Sequence, residues 1–553
     1  MVLIQWLYCQ ANEPLPMNLL ERIVKHRLFH LAILLIWCAV LLRRLVLYYP
    51  VTFDDAWMYI RYADHLLAGQ GYSWNPGGPP TFGCTSIAYT FWISGLKGLL
   101  GAWVPDELLL LGSSLGFFLL GTGLLMELSY RWAGAKLGWP RSQVYALVAL
   151  LLFNSSWFYH GNTGMETTLA ICANAVFFWA LIKLAETPTD RQRWVLVVGL
   201  AYFCFLVRPD VGFFILLTPA ILLRWAYQWP WPRVLGLTGL LVAVLALDTL
   251  GKTLYFGSPL PLPYAVKKLG FYEGAIFWFY NPYAYLEQFA RLILPLVTIS
   301  LVTARSSFQW GMIFGIYLPL LLTVAVLLQS IPIMGEEARF FVPLLPWVLL
   351  GAAAALKIGI SVPLGQNGAV RAFLVAGYAA VAIGILPFLA ARWEAHRKSE
   401  EASVTAERTN EAGHLYPEGR PLLDQLAMEI NQLPPEVCLT GTEHGYLGAQ
   451  VPLHPILDLT GLHTPELSSG AEVPALLIRE KPGLIWMPIN SYTVMHQRIR
   501  REVLADTAYL YFPQAYVYGL AIRRDLIPLL QERGAFPELL KVVPLSPAHE
   551  NTD

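Results

Sequence analysis

The sequence has 553 residues, of which 56% are hydrophobic and 14% are charged, and its formal net charge is zero. A soluble chain usually has about 45–50% apolar and about 25% charged residues, so the composition indicates a membrane protein. Because the net charge is zero, the protein has no long-range positive electrostatic field that would attract nucleic acid. Six scattered cysteines without a CxxC pair argue against a zinc site or a disulfide framework.

Apolar runs of roughly 17–25 residues, the length that crosses a bilayer, recur from residue 30 onwards. We predict eleven spans, near 30–49, 107–129, 142–158, 167–185, 194–208, 211–227, 234–250, 284–304, 308–330, 340–358 and 370–391. The first run lacks a small-residue cleavage site, so we predict a membrane span and not a signal peptide.

A further apolar run at 86–101 either spans the membrane or lies at its interface, and the positive-inside rule decides between the two. If 86–101 is interfacial, most of the basic loops fall on the cytoplasmic side together with the N-terminus. The segments predicted to be extracytoplasmic are then 50–106, 159–166, 208–210, 251–283, 331–339 and everything after about 392.

The last part of the chain differs in composition from the membrane part. Residues 392–420 are polar and charged, which predicts a linker. After it, short strand and helix patterns alternate, which indicates an extracytoplasmic α/β domain over 421–553. The membrane domain is predicted to cover 1–391, with a catalytic external loop at 50–106.

Two adjacent carboxylates, Asp54 and Asp55, directly follow the first span. A charge near the bilayer centre costs at least about 2.5 kcal/mol. Two carboxylates directly beside the membrane are therefore retained for a structural or a functional purpose. One reason is the N-terminus of a helix, where aspartate is favoured. The other is a functional site, which the turn-rich and aromatic stretch 69–78 favours.

Several motifs follow one another in an order that resembles a known family. They are DDAWMYIRYADHLLAGQGYSWNPGG with FGCTS (54–86), GMET (164–167), VRPD (207–210), YFGSPLP with YAVK (255–267), RFFVPLLP (339–346) and DLTGL (458–462). Together they resemble GT-C-fold glycosyltransferases that use polyprenyl-phosphate sugars, most of all the mycobacterial arabinofuranosyltransferase type and its bacterial relatives. Two acidic segments of that family's pattern differ here, at 78–82 and 334–338.

The resemblance implies a polytopic α-helical membrane protein of the GT-C fold, with about eleven transmembrane helices and a C-terminal extracytoplasmic α/β domain. It also implies an inverting transfer of sugar from a polyprenyl-phosphate donor to a glycan, lipid or protein acceptor of the cell envelope, at the plasma membrane. Membrane lipid is a further expected partner, and nucleic acid is not.

The resemblance assigns Asp54 as the general base, with Asp55 orienting the site. Lys267, with Lys268 or Arg208, would hold the donor phosphate. No cofactor is certain, but Asp55 and Glu166 are candidate ligands if a divalent cation is used. The residues expected to contact sugar or acceptor are Glu166, Arg61, Tyr255, Tyr264, Arg339, Glu336 and His444.

Each of these assignments has a structural alternative. Glu166 could cap a helix, Arg208 could pair with Asp210, and Lys267-Lys268 could be a solvated pair. The tail histidines at 444, 454 and 463 match no compact metal motif, so we expect surface or structural roles. At the level of function, the alternatives are a non-catalytic subunit of envelope-glycan assembly and a secondary transporter.

Overall fold

The computed structural model describes residues 27–48, 53–135, 138–153, 155–268, 282–304, 306–329, 336–359, 420–488, 492–505, 508–513, 515–516 and 518–541. The predicted span 370–391 and the predicted linker 392–420, apart from Arg420, lie outside the described residues.

The first part of the chain is a succession of helices. In the described ranges they are α1 (Arg27–Tyr48), α2 (Asp54–Leu67), α3 (Ile87–Leu100), α4 (Asp106–Ser129), α5 (Arg141–Leu151), α6 (Ser155–His160), α7 (Thr167–Glu186), α8 (Arg191–Val207), α9 (Gly212–Ile221), α10 (Trp231–Phe256), α11 (Leu262–Lys268), α12 (Pro282–Thr303), α13 (Ser307–Leu327) and α14 (Leu345–Gly359). The predicted spans from 30–49 to 340–358 each coincide with one helix or with consecutive helices. α8 ends directly before Arg208-Pro209 because the residue before a proline disfavours helical backbone.

Within the described residues, five helical stretches are long and apolar enough to cross a membrane, by length and composition. They are Asp106–Gly134, Thr167–Glu186, Pro209–Ala226, Trp231–Phe256 and Ser307–Leu327. The chain is therefore a polytopic membrane protein. The fourteen residues of α3 rise only about 21 Å against a hydrocarbon core of roughly 30 Å, which suits an interfacial position for 86–101.

Helix α7 lies at the centre of the helix assembly and packs against α4, α8 and α14. Its Phe177 and Phe178 are fully buried. Trp347 of α14 meets both rings edge-on, with centroids 5.5 and 5.4 Å away. Because α7 is held on several sides, the residue before its first turn, Glu166, has a fixed position.

The described residues after 419 form an α/β unit. Its elements in the described residues are α15 (Arg420–Ile430), β1 (Leu439–Gly441), α16 (Gly445–Gln450), β2 (Ile456–Asp458), α17 (Pro465–Ser468), α18 (Val473–Glu480), β3 (Leu484–Trp486), α19 (Thr493–Arg498), β4 (Tyr509–Phe512), β5 (Leu520–Arg523), α20 (Ile527–Arg533) and α21 (Pro537–Leu540). The sheet order is β2-β1-β3-β5-β4. β1 is parallel to β2 and β3, whereas β5 is antiparallel to β3 and β4.

Helix α2 docks against the short helix α16 of this unit through two charged side chains. The Asp54 carboxylate accepts hydrogen bonds from the backbone N–H groups of Gly445 (2.9 Å) and Tyr446 (2.8 Å). A Cβ on Gly445 would lie 2.0 Å from the Asp54 carbonyl oxygen, so the approach requires glycine. One helix of the membrane part therefore begins in direct contact with the backbone of the α/β unit.

Arg61, two turns further along α2, binds the other end of α16. It is fully buried, and its guanidinium donates to the carbonyl oxygens of Gly448 (2.6 Å), Val451 (3.1 Å) and His454 (2.7 Å). Its Nε donates to the Trp74 carbonyl oxygen at 2.8 Å, which ties the α2–α3 connection to the same point. Burial lowers the pKa of Arg61 to about 9, so the side chain stays cationic at neutral pH.

We expect Arg61→Met to lower the stability of this junction by roughly 2–4 kcal/mol, because four buried carbonyl oxygens lose their charged donor. Thermal unfolding in detergent and limited proteolysis of the α/β unit measure the change. The control is Arg479→Met, since the Arg479 side chain is 58% exposed. Equal melting temperatures and equal protease resistance in both variants would contradict the role of Arg61.

Candidate active site

A cavity of about 390 Å³ lies where α2, the α8–α9 connection, α11 and the segment at Arg339 meet. Its charged lining side chains are Asp55, Glu166, Arg208, Asp210, Lys267 and Arg339. Its apolar wall includes Phe213 and Leu216 of α9 and Val326 and Leu327 of α13. The cavity thus joins a charged region to an apolar wall that belongs to two membrane-spanning stretches.

Glu166 is the centre of the charged region. It is 1% exposed, and its carboxylate accepts from Arg208 Nη1 at 3.0 Å, from Arg339 Nη2 at 3.4 Å and from the Tyr59 hydroxyl at 3.0 Å. Burial raises the pKa of Glu166, but the attraction of Arg339 and Arg208 outweighs it and leaves that pKa below its ordinary value. Glu166 is therefore an ionised carboxylate that holds two arginines in place. Its two oxygens are occupied by side chains of the protein itself.

The two adjacent aspartates have different surroundings. Asp55 lines the cavity, its side chain is 21% exposed, and its Oδ2 lies 3.3 Å from Arg339 Nη1. Asp54 does not line the cavity, because its two oxygens face the backbone amides of α16. Burial raises the pKa of Asp54, yet a general base must first reach the proton it takes. Of the two aspartates, Asp55 therefore faces the cavity, and the predicted base Asp54 does not.

Three cations surround one aromatic ring at the cavity wall. The Phe340 centroid lies 4.9 Å from Lys267 Nζ, 5.5 Å from the Arg208 guanidinium carbon and 5.8 Å from that of Arg339. Such contacts stabilise a cation over a ring face. Arg208 is held further by Asp210, with Nη2 2.6 Å from Oδ2, so the predicted pair with Asp210 exists. Both Lys267 and Arg208, predicted to bind phosphate, line this wall.

Three residues predicted to contact sugar or acceptor lie elsewhere. Arg61 has no exposed surface, and its guanidinium donates to the four carbonyl oxygens described above. Tyr255 is half-exposed, and its hydroxyl accepts from the Tyr72 N–H at 3.3 Å. His444 is 1% exposed and its Nδ1 lies 3.3 Å from Asp458. None of these three residues lines the cavity, and a contact with sugar or acceptor stays a prediction for each.

The remaining predicted residues divide into two groups. Tyr264 lines the cavity, and burial raises its pKa, which keeps the phenol protonated. Arg339 lines the cavity as well. The side chains of Lys268 and Glu336 lie outside the described part of the chain, and their assignments stay predictions. The sequence did not identify Phe340 as the ring that contacts the three cations. Phe340 is the second residue of the motif that starts at Arg339.

A divalent cation does not fit between Asp55 and Glu166. The Arg339 guanidinium already bridges them, with one Nη on Asp55 Oδ2 and the other on Glu166. Arg208 adds a second positive charge to the same carboxylate. A metal ion there would face two arginines at contact distance, so the electrostatics oppose it.

Glu166→Gln should destabilise the protein by roughly 3–5 kcal/mol, because it leaves two buried arginines without their shared carboxylate. The measurement is the shift of the thermal midpoint in detergent. Glu186→Gln is the matched control, since it removes a half-exposed ion pair with Lys183 that contributes less than about 1 kcal/mol. A Glu166 variant no less stable than this control would refute the central position of Glu166.

No protein-family model matches the chain, and no curated protein sequence matches it. The crystal structure of ArnT from Cupriavidus metallidurans bound to undecaprenyl phosphate is similar to it. The two chains are 14% identical, with a TM-score of 0.50, and the likeness covers 88% of this chain and 97% of that chain. At this identity the likeness is one of fold alone, and it supports the GT-C fold predicted for this polytopic membrane protein.

Proposed function

We propose that this protein is an inverting glycosyltransferase that moves a sugar from a polyprenyl-phosphate donor to an acceptor hydroxyl of the cell envelope. The observation that carries the proposal is the cavity, where three cations meet an apolar wall of membrane-spanning stretches. A lipid phosphate has the complementary shape, with an anionic head and an isoprenoid tail. The fold likeness to ArnT, whose structure contains undecaprenyl phosphate, supports the same donor class.

The donor phosphate would bind at the cations around Phe340. Lys267 suits a point contact with a phosphate oxygen, and an arginine can contact two oxygens at once. Arg208 and Arg339 are already oriented by Glu166, so they can meet the phosphate with little reorganisation. The isoprenoid would leave the cavity along α9 and α13, past Phe213 and Leu327.

The chemistry would be a single displacement at the anomeric carbon. Asp55 takes the proton of the acceptor hydroxyl as its oxygen forms the new glycosidic bond. The bond from the anomeric carbon to the phosphate oxygen breaks, and the lipid phosphate leaves with that electron pair. The nearby cations stabilise the charge that develops on the phosphate. One displacement inverts the anomeric configuration.

We place the cavity on the extracytoplasmic side, with the N-terminus in the cytoplasm. Loops 50–106, 159–166 and 208–210, together with the segments at Lys267 and Arg339, were expected on one side of the bilayer. Their side chains line one cavity, which supports that topology and an external position for the α/β unit. The likeness to the arabinofuranosyltransferase type, and an acceptor that is a glycan, lipid or protein, stay predictions.

Asp55→Asn should lower the turnover number by about 10²–10⁴-fold, the usual contribution of a general base, with only a small fall in melting temperature, because Arg339 keeps its ion pair with Glu166. The measurement is transfer by the purified protein from a panel of polyprenyl-phosphate sugars. Asp54→Asn is the matched variant one residue away, and it should lower stability more than turnover per folded molecule. If the folded Asp54 variant loses all turnover while the Asp55 variant keeps it, Asp54 is the base.

The same assay separates the alternative functions. A non-catalytic subunit would transfer no sugar from any donor, whereas a secondary transporter would move its solute across vesicles without glycosidic bond formation. Absence of transfer from every polyprenyl-phosphate sugar by wild-type protein would overturn the proposed function.

Lys267→Gln should raise the KM for the donor about tenfold, since one charge-assisted contact with phosphate contributes roughly 1.5–3 kcal/mol, part of which the glutamine retains. The KM for the acceptor should stay unchanged. Lys183→Gln, a change of an exposed lysine at the other end of α7, serves as the control. An unchanged donor KM in the Lys267 variant would remove this residue from the phosphate site.

A further inference from the structure

A second cluster of coordinating side chains lies at the junction of α2 with the α/β unit. One potential ligand atom each of His444, Asp458 and His463 lies within 4.8 Å of the other two. These residues are 1%, 0% and 3% exposed. From the sequence, both histidines were expected to have surface or structural roles, and His444 was also a candidate for contact with sugar or acceptor. The glycosyl transfer proposed above uses none of the three residues.

The protonation of His444 follows from its neighbours. Its Nδ1 lies 3.1 Å from the Thr442 carbonyl oxygen and 3.3 Å from Asp458 Oδ1. Both of these atoms are acceptors, so Nδ1 carries the proton. The lone pair is therefore on Nε2, which is buried and has no hydrogen-bond partner among the described residues. A buried nitrogen in this state costs free energy unless something binds it.

His463 has the same tautomer. The Tyr62 hydroxyl donates its proton to the Thr81 carbonyl oxygen at 3.0 Å, so it accepts from His463 Nδ1, also at 3.0 Å. The lone pair of Nε2 then faces Met58 Sδ at 3.1 Å, and a thioether has no proton to offer. Gly83 makes room for this ring, since a Cβ there would lie 1.9 Å from His463 Nδ1.

We propose that Nε2 of His444, Nε2 of His463 and Sδ of Met58 bind one transition-metal ion, Zn²⁺ or Cu⁺. Imidazole suits both ions, and a thioether favours the softer Cu⁺. The Asp458 carboxylate would act as the outer partner that fixes the His444 ring, as carboxylates do behind metal-bound histidines. Asp458 is itself held by the N–H groups of Thr460 (2.7 Å) and His463 (2.8 Å).

A bound ion would link helix α2 of the membrane part to the α/β unit. Met58 belongs to α2 and lines the cavity, whereas both histidines belong to the α/β unit. The rings of the histidines are perpendicular, with centroids 5.2 Å apart, and Trp74 stacks on His463 at 3.8 Å. The proposed site thus lies between α2, the α2–α3 connection and the α/β unit, and Met58 is the ligand that it shares with the cavity lining.

The test is the metal content of the full-length protein in detergent. The protein is stripped with a chelator, loaded with Zn²⁺ alone or with Cu⁺ alone under reducing conditions, desalted and measured by elemental mass spectrometry. We expect about one ion per chain for at least one of the two metals, as for a single closed site. Wild-type protein that retains neither ion would overturn the proposal, whatever its transfer activity.

Variants then locate the ion. His444→Gln combined with His463→Gln should lose the bound ion, and His454→Gln should keep it, because His454 is a buried histidine of the same unit outside the cluster. Met58→Leu keeps both imidazoles and should weaken Cu⁺ more than Zn²⁺, which also tests the site if the double variant fails to fold. Unchanged metal content and affinity in Met58→Leu and in the folded double variant would place the ion elsewhere and refute the site.

Discussion

Asp54 and Arg61, seven residues apart on α2, hold the two ends of α16 through its backbone. Seven residues are two helical turns, so both side chains leave the same face of α2. Asp55, Met58 and Tyr59 belong to the face that lines the cavity. The hydrogen bonds to α16 therefore fix the rotation of α2 about its axis. This rotation decides which of the two aspartates faces the cavity.

Glu166 sets the electrostatics of that cavity. A buried carboxylate is tolerated here because Arg208 and Arg339 both bind it, and the same pairing keeps two guanidinium groups at the wall. Asp55 and Asp210 balance the charge further. The consequence is a set of oriented cations around Phe340 that needs no metal ion between the carboxylates.

The helical part of the fold could be predicted from the sequence because a bilayer imposes a simple requirement, a long apolar run for each crossing. The runs at 107–129, 167–185 and 234–250 coincide with α4, α7 and α10. The alternation of short strands and helices after residue 420 could be predicted too, because short apolar runs between turn residues leave few alternatives, and β2 (Ile456–Asp458) is one such run. Packing partners could not, since apolar faces of helices resemble one another in sequence.

The sequence by itself determined that this protein enters a membrane several times, and it predicted that charged residues from distant loops lie on one side of that membrane. Asp55, Glu166, Arg208, Lys267 and Arg339 were all predicted, and all line the cavity. Only the tertiary structure showed that Asp55 lines the cavity whereas Asp54, Arg61 and His444 do not. Adjacent residues on a helix point about 100° apart, and which direction faces a cavity depends on what packs against the helix, here a segment almost 400 positions later in the chain.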